Sequence, residues 1–383
     1  MSKFCPAPWM AMFIHGNEVS ACCSMHGSHH GSPSEYLKSP FLKDLKSDFL
    51  SGKFPEACLS CRLTEEFGGT SIRNHFEANY PHLMNKDDYT EDTMLEYEYA
   101  EIRASNLCNF SCRMCNSWNS SVIEEEIKNN PNLAGIEDRW KLVENKNITD
   151  DNWESLLKEA LTFKRITLTG GEPTLIKKYY DLLEYLIEKK LHNEIRIDIY
   201  TNASIYNPIF IKNLIGFRSV VVNFSIDAVG KFAEYQRNGT NWKVVSSNIE
   251  KWITENPHIK FQFHSTFTAY NILDIFSLAC YFCQYEDRIY TFKAHTVKGP
   301  RWICPHVLNL ELRRKALRQL EDSVKLLKGK PKFQAWNREL LALVNILKNP
   351  KNMKSSNFKS FLEKTRMLDK IRQQSFQDLL RDM

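Results

Sequence analysis

The sequence predicts an α/β fold: a parallel sheet covered by helices, preceded by a small Cys-rich metal module and followed by a helical extension. Three observations lead there. From about residue 97 onward short β runs alternate with amphipathic helical stretches. Residues 1–80 concentrate Cys, His, Gly and Pro and hold few long periodic runs. From Leu308 onward the chain is helical and basic.

At 383 residues the chain is long enough for two or three units. In the first, residues 1–80, the stretch Gly27-Ser28-His29-His30-Gly31-Ser32-Pro33 is turn and loop material. A unit so poor in regular core is expected to need a staple, and a metal site supplies one. A polar, acidic link from Asn85 to Glu96 leads into the second unit, residues 97–300. There Tyr97–Ala104, Arg165–Thr169, Glu194–Tyr200, Ser219–Ser225, Lys260–Phe267 and Arg288–Phe292 read as strands. Leu175–Lys190, with Leu175, Leu182, Leu183 and Leu186 on one face, reads as a helix between them, as do Trp242–Glu255 and Ile272–Cys283. Six β-then-α units in series imply a parallel sheet, open or curled into a barrel, with its site at the carboxyl ends of the strands. In the tail, residues 305–383, Leu310, Leu317, Leu320, Val324 and Leu327 form one apolar stripe and Leu340, Leu343, Val344 and Leu347 another. Its basic residues alternate with acids such as Glu311, Glu321 and Asp322, which fits a packing cap with a solvated face better than an RNA-binding arm.

Composition excludes several classes. The formal charge of +5 over the whole chain marks solubility more than a nucleic-acid footprint, so no nucleic-acid partner is expected. No run approaches the ~18 apolar residues that a membrane helix requires. Lys3, Ala7–Ile14 and Val19-Ser20-Ala21-Cys22 imitate a lipoprotein signal, but His15, Gly16, Asn17 and Glu18 interrupt the apolar region. A cytoplasmic location is therefore expected. The 11 cysteines of such a chain argue for metal rather than disulfides, because cytosolic thiols stay reduced.

Cys108, Cys112 and Cys115 form the tightest group, in the loop after the first expected strand. Three thiolates at this spacing can hold a four-iron cluster by three corners, leaving the fourth iron open to a ligand. The alternative is a zinc knuckle or buried structural thiols. Cys108-x3-Cys112-x2-Cys115 resembles the signature of the radical S-adenosylmethionine (SAM) superfamily. That resemblance implies a partial (β/α)6 barrel, a 4Fe-4S cluster whose open iron is chelated by SAM, and reductive cleavage to a 5′-deoxyadenosyl radical that abstracts substrate hydrogen. Met114 stands where the family often has an aromatic residue, and a thioether can also pack against adenine.

The resemblance extends to other strand ends. Gly170, Gly171, Glu172 and Pro173 match the family's GGEP motif, in which the glycines allow close backbone approach and the carboxylate meets the SAM ammonium. Ser225 and Asp227 resemble its ribose-contacting motif, Arg237 an arginine that meets the SAM carboxylate, and Asn202 a residue lining the same pocket. For Ser225, Asp227 and Asn202 the competing role is capping the next helix. No catalytic acid, base or nucleophile is assigned.

Cys5, Cys22, Cys23, Cys58 and Cys61 offer thiols from paired regions, enough for a fully ligated site. Adjacent cysteines point apart, so one of Cys22 and Cys23 is expected to be spare. The region resembles the auxiliary-cluster module called SPASM, or its shorter twitch form, with Asn17 in the usual glycine place and Ser71-Ile72-Arg73 after the C-x2-C. By that likeness Cys5, Cys22, Cys58 and Cys61 would hold a second 4Fe-4S cluster; a structural zinc ribbon is the alternative. His26, His29 and His30 are assigned to a loop. Cys280 and Cys283 are expected in the core of an apolar helix, and Cys304 in a loop.

The resemblance covers roughly the first 300 residues and implies a reductant partner such as flavodoxin or ferredoxin. It also implies a peptide or protein substrate, with a small molecule, sugar or nucleoside as runner-up. A non-catalytic, zinc-stapled RNA- or protein-binding module is the alternative of another class, although the interleaved aromatic and basic pattern of single-strand binders is missing.

Overall fold

The computed structural model describes residues 4–66, 70–93, 98–136, 140–144, 146–349 and 355–381; Lys3, Glu96 and Tyr97, named above, lie outside them. The fold is α/β. Its strands are β1 (Ala11–His15), β2 (Glu18–Ser20), β3 (His29–His30), β4 (Tyr99–Arg103), β5 (Ser111–Cys112) and β6 (Arg165–Leu168), followed by β7 (Arg196–Thr201), β8 (Ser219–Ser225), β9 (Arg237–Asn238), β10 (Lys260–Phe267) and β11 (Thr291–Thr296). Two compact units emerge. One holds residues 1–106, 144–199 and 209–219, and the other residues 107–143, 200–208 and 220–383.

In the first unit β4 pairs in parallel with β6, and β6 with β7. Alternation along these strands sends Ala100, Ile102, Ile166, Leu168, Ile197 and Ile199 to one face, where each is fully buried. The Lys177–Glu188 helix buries Tyr179, Leu182, Leu183 and Leu186. Leu175 belongs to a separate short turn, Pro173–Leu175, because Ile176 is extended and the helix starts only after it, and Tyr179 completes the buried stripe instead.

The N-terminal segment is less separate than its composition suggests. β1 pairs in parallel with β4, Met12 beside Ala100 and Ile14 beside Ile102, so it extends the same sheet and the same apolar face. β2 and β3 continue from β1 as antiparallel neighbours, which puts His29 and His30 in a short strand rather than a loop. The segment also has a packed core of its own, contrary to the expectation of a poor one. Phe4, Trp9 and Tyr89 meet with ring centroids 5.0–5.4 Å apart, and the Trp9 indole donates to the Thr90 carbonyl at 2.9 Å. The division at residues 80 and 97 is thus a change in composition and not a break in the sheet.

In the second unit β8, β10 and β11 run parallel. Phe224, Phe263 and Phe292 are in register on one face, and Phe282 stacks on Phe263 at 4.3 Å. β11 starts at Thr291, later than expected, because Arg288 and Ile289 close a turn onto the Tyr285 carbonyl. The helices Leu310–Leu327, Gln334–Lys348, Ser355–Arg372 and Phe376–Arg381 complete the unit. In the first of these the buried stripe is Leu312, Ala316, Leu320 and Leu327, and Leu310 is exposed. Leu340, Leu343, Val344 and Leu347 are buried as expected. No described helix is long and apolar enough to cross a membrane.

Candidate functional site

Within the first unit, Cys5, Cys22, Cys58 and Cys61 line one small cavity, and no Asp, Glu or His shares the lining. The segments that carry them are positioned by different devices. The Pro6 carbonyl starts the Ala7–Met10 turn after Cys5, and Cys58 and Cys61 straddle the start of the Leu59–Glu66 helix. Burial raises the Cys5 and Cys58 thiols to about 12 each and lifts Cys22 well above its ordinary value; neighbouring thiols of the same set add to all three shifts. An apolar chamber that holds four mutually interacting thiols disfavours free thiolates. A polynuclear iron cluster suits such a donor set, since its cationic iron stabilises thiolates that burial would otherwise neutralise. Arg73 also borders the cavity, bound to Glu65 by two hydrogen bonds of 2.7 and 2.9 Å.

Cys23 points elsewhere. Its thiol is raised to about 11 by burial and by the Glu101 carboxylate, with Arg103 acting in the opposite sense. Of the adjacent pair, Cys22 is therefore the one turned into the cavity.

The same unit carries Gly170, Gly171, Glu172 and Pro173 after β6. Gly170 has φ +110°, and a Cβ there would lie 2.6 Å from the Ser105 carbonyl oxygen, so the turn requires glycine. The Gly171 amide donates to that same oxygen at 3.1 Å. Glu172 is buried, and its Oε1 accepts from the Thr174 amide at 3.2 Å and hydroxyl at 2.8 Å. Glu172 thus caps the Pro173–Leu175 turn, a role the motif alone does not announce. Tyr179 is a further residue that sequence reasoning missed. Its hydroxyl donates toward the Ile102 and Thr169 carbonyls and accepts from the Ala104 amide, tying the ends of β4 and β6 together within 3.0 Å.

The second unit holds the Cys108–Cys115 loop. The Cys108 amide donates to the Ser121 hydroxyl at 3.1 Å, and Ser120 caps the helix that follows. Cys112 sits in β5, paired antiparallel with Arg237 in β9. The Cys115 amide donates to the Cys112 carbonyl, and the Cys115 carbonyl accepts from the Trp140 indole, both at 3.0 Å. Burial raises the Cys112 thiol to about 12, with Arg237 lowering it and Cys115 raising it further. Cys108 and Cys115 are half-buried, so this loop keeps an accessible side.

Arg237 and Asp227 come together beside the triad. The Arg237 Nη1 lies 3.8 Å from the Cys112 Sγ, and its Nε donates to Asp227 at 2.7 Å. The other Asp227 oxygen accepts from the Thr266 amide at 2.7 Å, and the carboxylate is fully buried. Burial works against the Arg237 charge, but Asp227 and Cys112 more than offset it and the guanidinium stays cationic. Asp227 is thus engaged in holding Arg237 in place. Asn202 donates to the Asn109 side chain at 3.0 Å, linking the end of β7 to the cysteine loop, while Ser225 ends β8 opposite His264. Two histidines were not anticipated. His264 and His295 contact through Nε2 and Nδ1 at 3.1 Å, and burial, His295 and Lys293 hold His264 down at about 3, so it is neutral. Their signal in the sequence was weak: polar residues at alternate positions in strands otherwise rich in phenylalanine.

Gly239, after β9, backs the loop. It has φ +99°, and a Cβ there would come within 2.8 Å of the Asn109 carbonyl oxygen and 3.1 Å of the Phe110 ring. Gly239→Ala is expected to destabilise by about 1–3 kcal/mol, read by denaturant unfolding, and to lower iron retention at the triad. An unchanged unfolding midpoint would show that the loop absorbs the methyl group.

The late cysteines depart from expectation in part. Cys280 and Cys283 are half-buried and are not among Ile275, Leu278, Ala279 and Phe282, which form the buried face of their helix. Cys304 is buried and its thiol donates to the Val297 carbonyl at 3.3 Å. Among the described residues no group of three or more His, Cys, Asp or Glu is arranged for a single metal ion.

Residues 102–256 match the family model described as the radical SAM superfamily. No curated protein matches the chain. Similar solved structures include native anSMEcpe with bound AdoMet, at 18% identity and a TM-score of 0.43, covering 59% of this chain and 59% of that one. SuiB from Streptococcus suis matches at 17% identity and 0.42, covering 82% and 69%. The radical S-adenosylmethionine methyltransferase TsrM from Kitasatospora setae matches at 13% identity and 0.34, covering 51% and 35%. The chain therefore spans less than two thirds of the first of these.

Proposed function

We propose, from the match of residues 102–256 to the radical SAM superfamily model, that this chain cleaves SAM reductively and removes hydrogen from a substrate. Cys108, Cys112 and Cys115 would hold a 4Fe-4S cluster, which when bound would supply the electron for that cleavage. The observation that carries this reading is the cationic Arg237 fixed by Asp227 beside Cys112, in a loop that keeps one side accessible. In that role Arg237 offers a guanidinium to the carboxylate of SAM, and Asp227 keeps its fork oriented. Glu172, Gly170 and Gly171 are assigned to the SAM ammonium, with Pro173 shaping the turn. Asn202 and Ser225 would border the nucleoside.

For Cys5, Cys22, Cys58 and Cys61 we propose a second 4Fe-4S cluster, supported by the gathering of these four thiols in a mostly apolar cavity with no Asp, Glu or His in its lining. With four protein ligands it would relay electrons from a reductant such as flavodoxin or ferredoxin, rather than bind substrate. By its likeness to SPASM and twitch modules, the substrate class is a peptide or protein.

Anaerobic reconstitution tests both assignments. The wild-type protein is expected to bind about eight irons per chain and to show a paramagnetic signal that changes when SAM is added. Cys58→Ala is expected to lower the iron to about four while leaving the SAM-dependent change in place. A wild-type signal indifferent to SAM would overturn the proposed chemistry. Full iron in Cys58→Ala would overturn the second cluster.

A further inference from the structure

The C-terminal helices carry little of the family resemblance, yet one of their residues, Arg372, reaches groups that hold the cysteine loop. Arg372, at the end of the Ser355–Arg372 helix, has a side chain only 1% exposed. Its Nε and Nη2 donate to the two oxygens of Glu126 at 3.1 and 2.7 Å. Glu126 Oε1 also accepts from the hydroxyl of Ser111, the residue before Cys112, at 2.7 Å. On its other side the guanidinium lies 5.7 Å from the ring of Trp140, whose indole donates to the Cys115 carbonyl. Arg372 is therefore linked to Cys115 through Trp140 and to Cys112 through Glu126 and Ser111. The remaining nitrogen, Nη1, is buried with no hydrogen-bond partner among the described residues.

That orphaned donor needs an explanation. Burying a guanidinium N–H without an acceptor costs about 1–3 kcal/mol or more, so such groups are rare unless something absent from the protein atoms satisfies them. The Arg372 charge is also felt at the Cys112 thiol, as is that of Arg237. An iron–sulfur cluster with three thiolate ligands is an anion whose sulfur atoms accept N–H hydrogen bonds, and such bonds raise its reduction potential.

We propose that Arg372 belongs to the cluster site of the cysteine triad, supplying from the C-terminal helix a buried positive charge and N–H donor that set the cluster's reduction potential. The idea rests on the triad reading above. It assigns the tail a part in electron transfer beyond packing. Glu126 acts in the opposite sense, since its carboxylate both orients Arg372 and offsets its charge.

The test is a potentiometric titration, followed by paramagnetic resonance, of the SAM-responsive signal in the reconstituted full-length protein. Arg372→Gln removes the cation and leaves Glu126 unbalanced, so the midpoint is expected to move to more negative potential. Glu126→Gln leaves the cation unbalanced, so the midpoint is expected to move the other way. Arg372→Lys keeps the charge and is expected to stay closer to wild type than Arg372→Gln. Should Arg372→Gln fail to hold triad iron, the opposite displacement in Glu126→Gln still decides the matter. Unmoved midpoints in the variants that hold the cluster, or shifts of the same sign in Arg372→Gln and Glu126→Gln, would overturn the proposal. A wild-type protein without any SAM-responsive signal would instead overturn the function on which it rests.

Discussion

Cys112→Ala is expected to reduce 5′-deoxyadenosine formation from SAM under dithionite to background, whereas Cys283→Ala leaves it at the wild-type level. Cys112 is the most deeply placed thiol of the triad, set in β5 between Cys108 and Cys115 and faced by Arg237 across the β5–β9 pair. Its loss removes one of three corners of the cluster, and alanine offers no replacement ligand. It also leaves the Arg237 guanidinium beside an uncharged methyl group. Cys283 makes a fair control because it is a half-buried thiol outside the triad, near Lys330 and Glu286. The measurement is chromatographic quantification of 5′-deoxyadenosine in both reconstituted variants. Equal yields would remove the triad from the chemistry.

The second large effect concerns stability. Asp369→Ala is expected to destabilise the protein by about 3–5 kcal/mol, because it strands a buried charge. Arg113, between Cys112 and Met114, is completely buried, and its Nη2 donates to Asp369 Oδ1 at 2.5 Å. Its Nε donates to the Tyr235 carbonyl at 3.0 Å, and the guanidinium lies 3.7 Å from the Tyr235 ring. Asp369 in turn accepts from the Tyr235 hydroxyl and the Phe376 amide, each at 2.8 Å. The neutral acceptors that remain in Asp369→Ala cannot replace the carboxylate as a counter-charge. Arg113→Met combined with Asp369→Leu removes both charges at similar volume, so it is expected to recover much of the loss. Urea unfolding of the three proteins gives the comparison. A single-variant loss below about 1 kcal/mol would mean that water or a backbone shift solvates Arg113.

Much of this protein is readable from local pattern. Period-two alternation located six parallel strands, though not β1, because a strand's burial is set by its own side chains, and β8 and β10 fall where the sequence puts them. The cysteine spacing and the GGEP turn were equally visible, since a loop that must carry several thiols, or pass within van der Waals distance of a carbonyl, leaves its mark in consecutive residues. The Leu310–Leu327 stripe was misjudged by its first member because the helix buries a face rotated toward Leu312 and Ala316.

Tertiary structure alone decided the rest. Whether Cys22 or Cys23 enters the four-cysteine cavity depends on the direction of two adjacent side chains, which composition cannot specify. That β1 joins β4, or that Arg113 and Arg372 find Asp369 and Glu126, depends on partners 88 to 256 residues apart in the chain. A local sequence window records the tendency of a residue to be a strand, a cap or a charge. It does not record which distant group satisfies that residue once the chain has closed around it, because that choice is made by packing and by the cost of leaving a buried charge or hydrogen bond unmet.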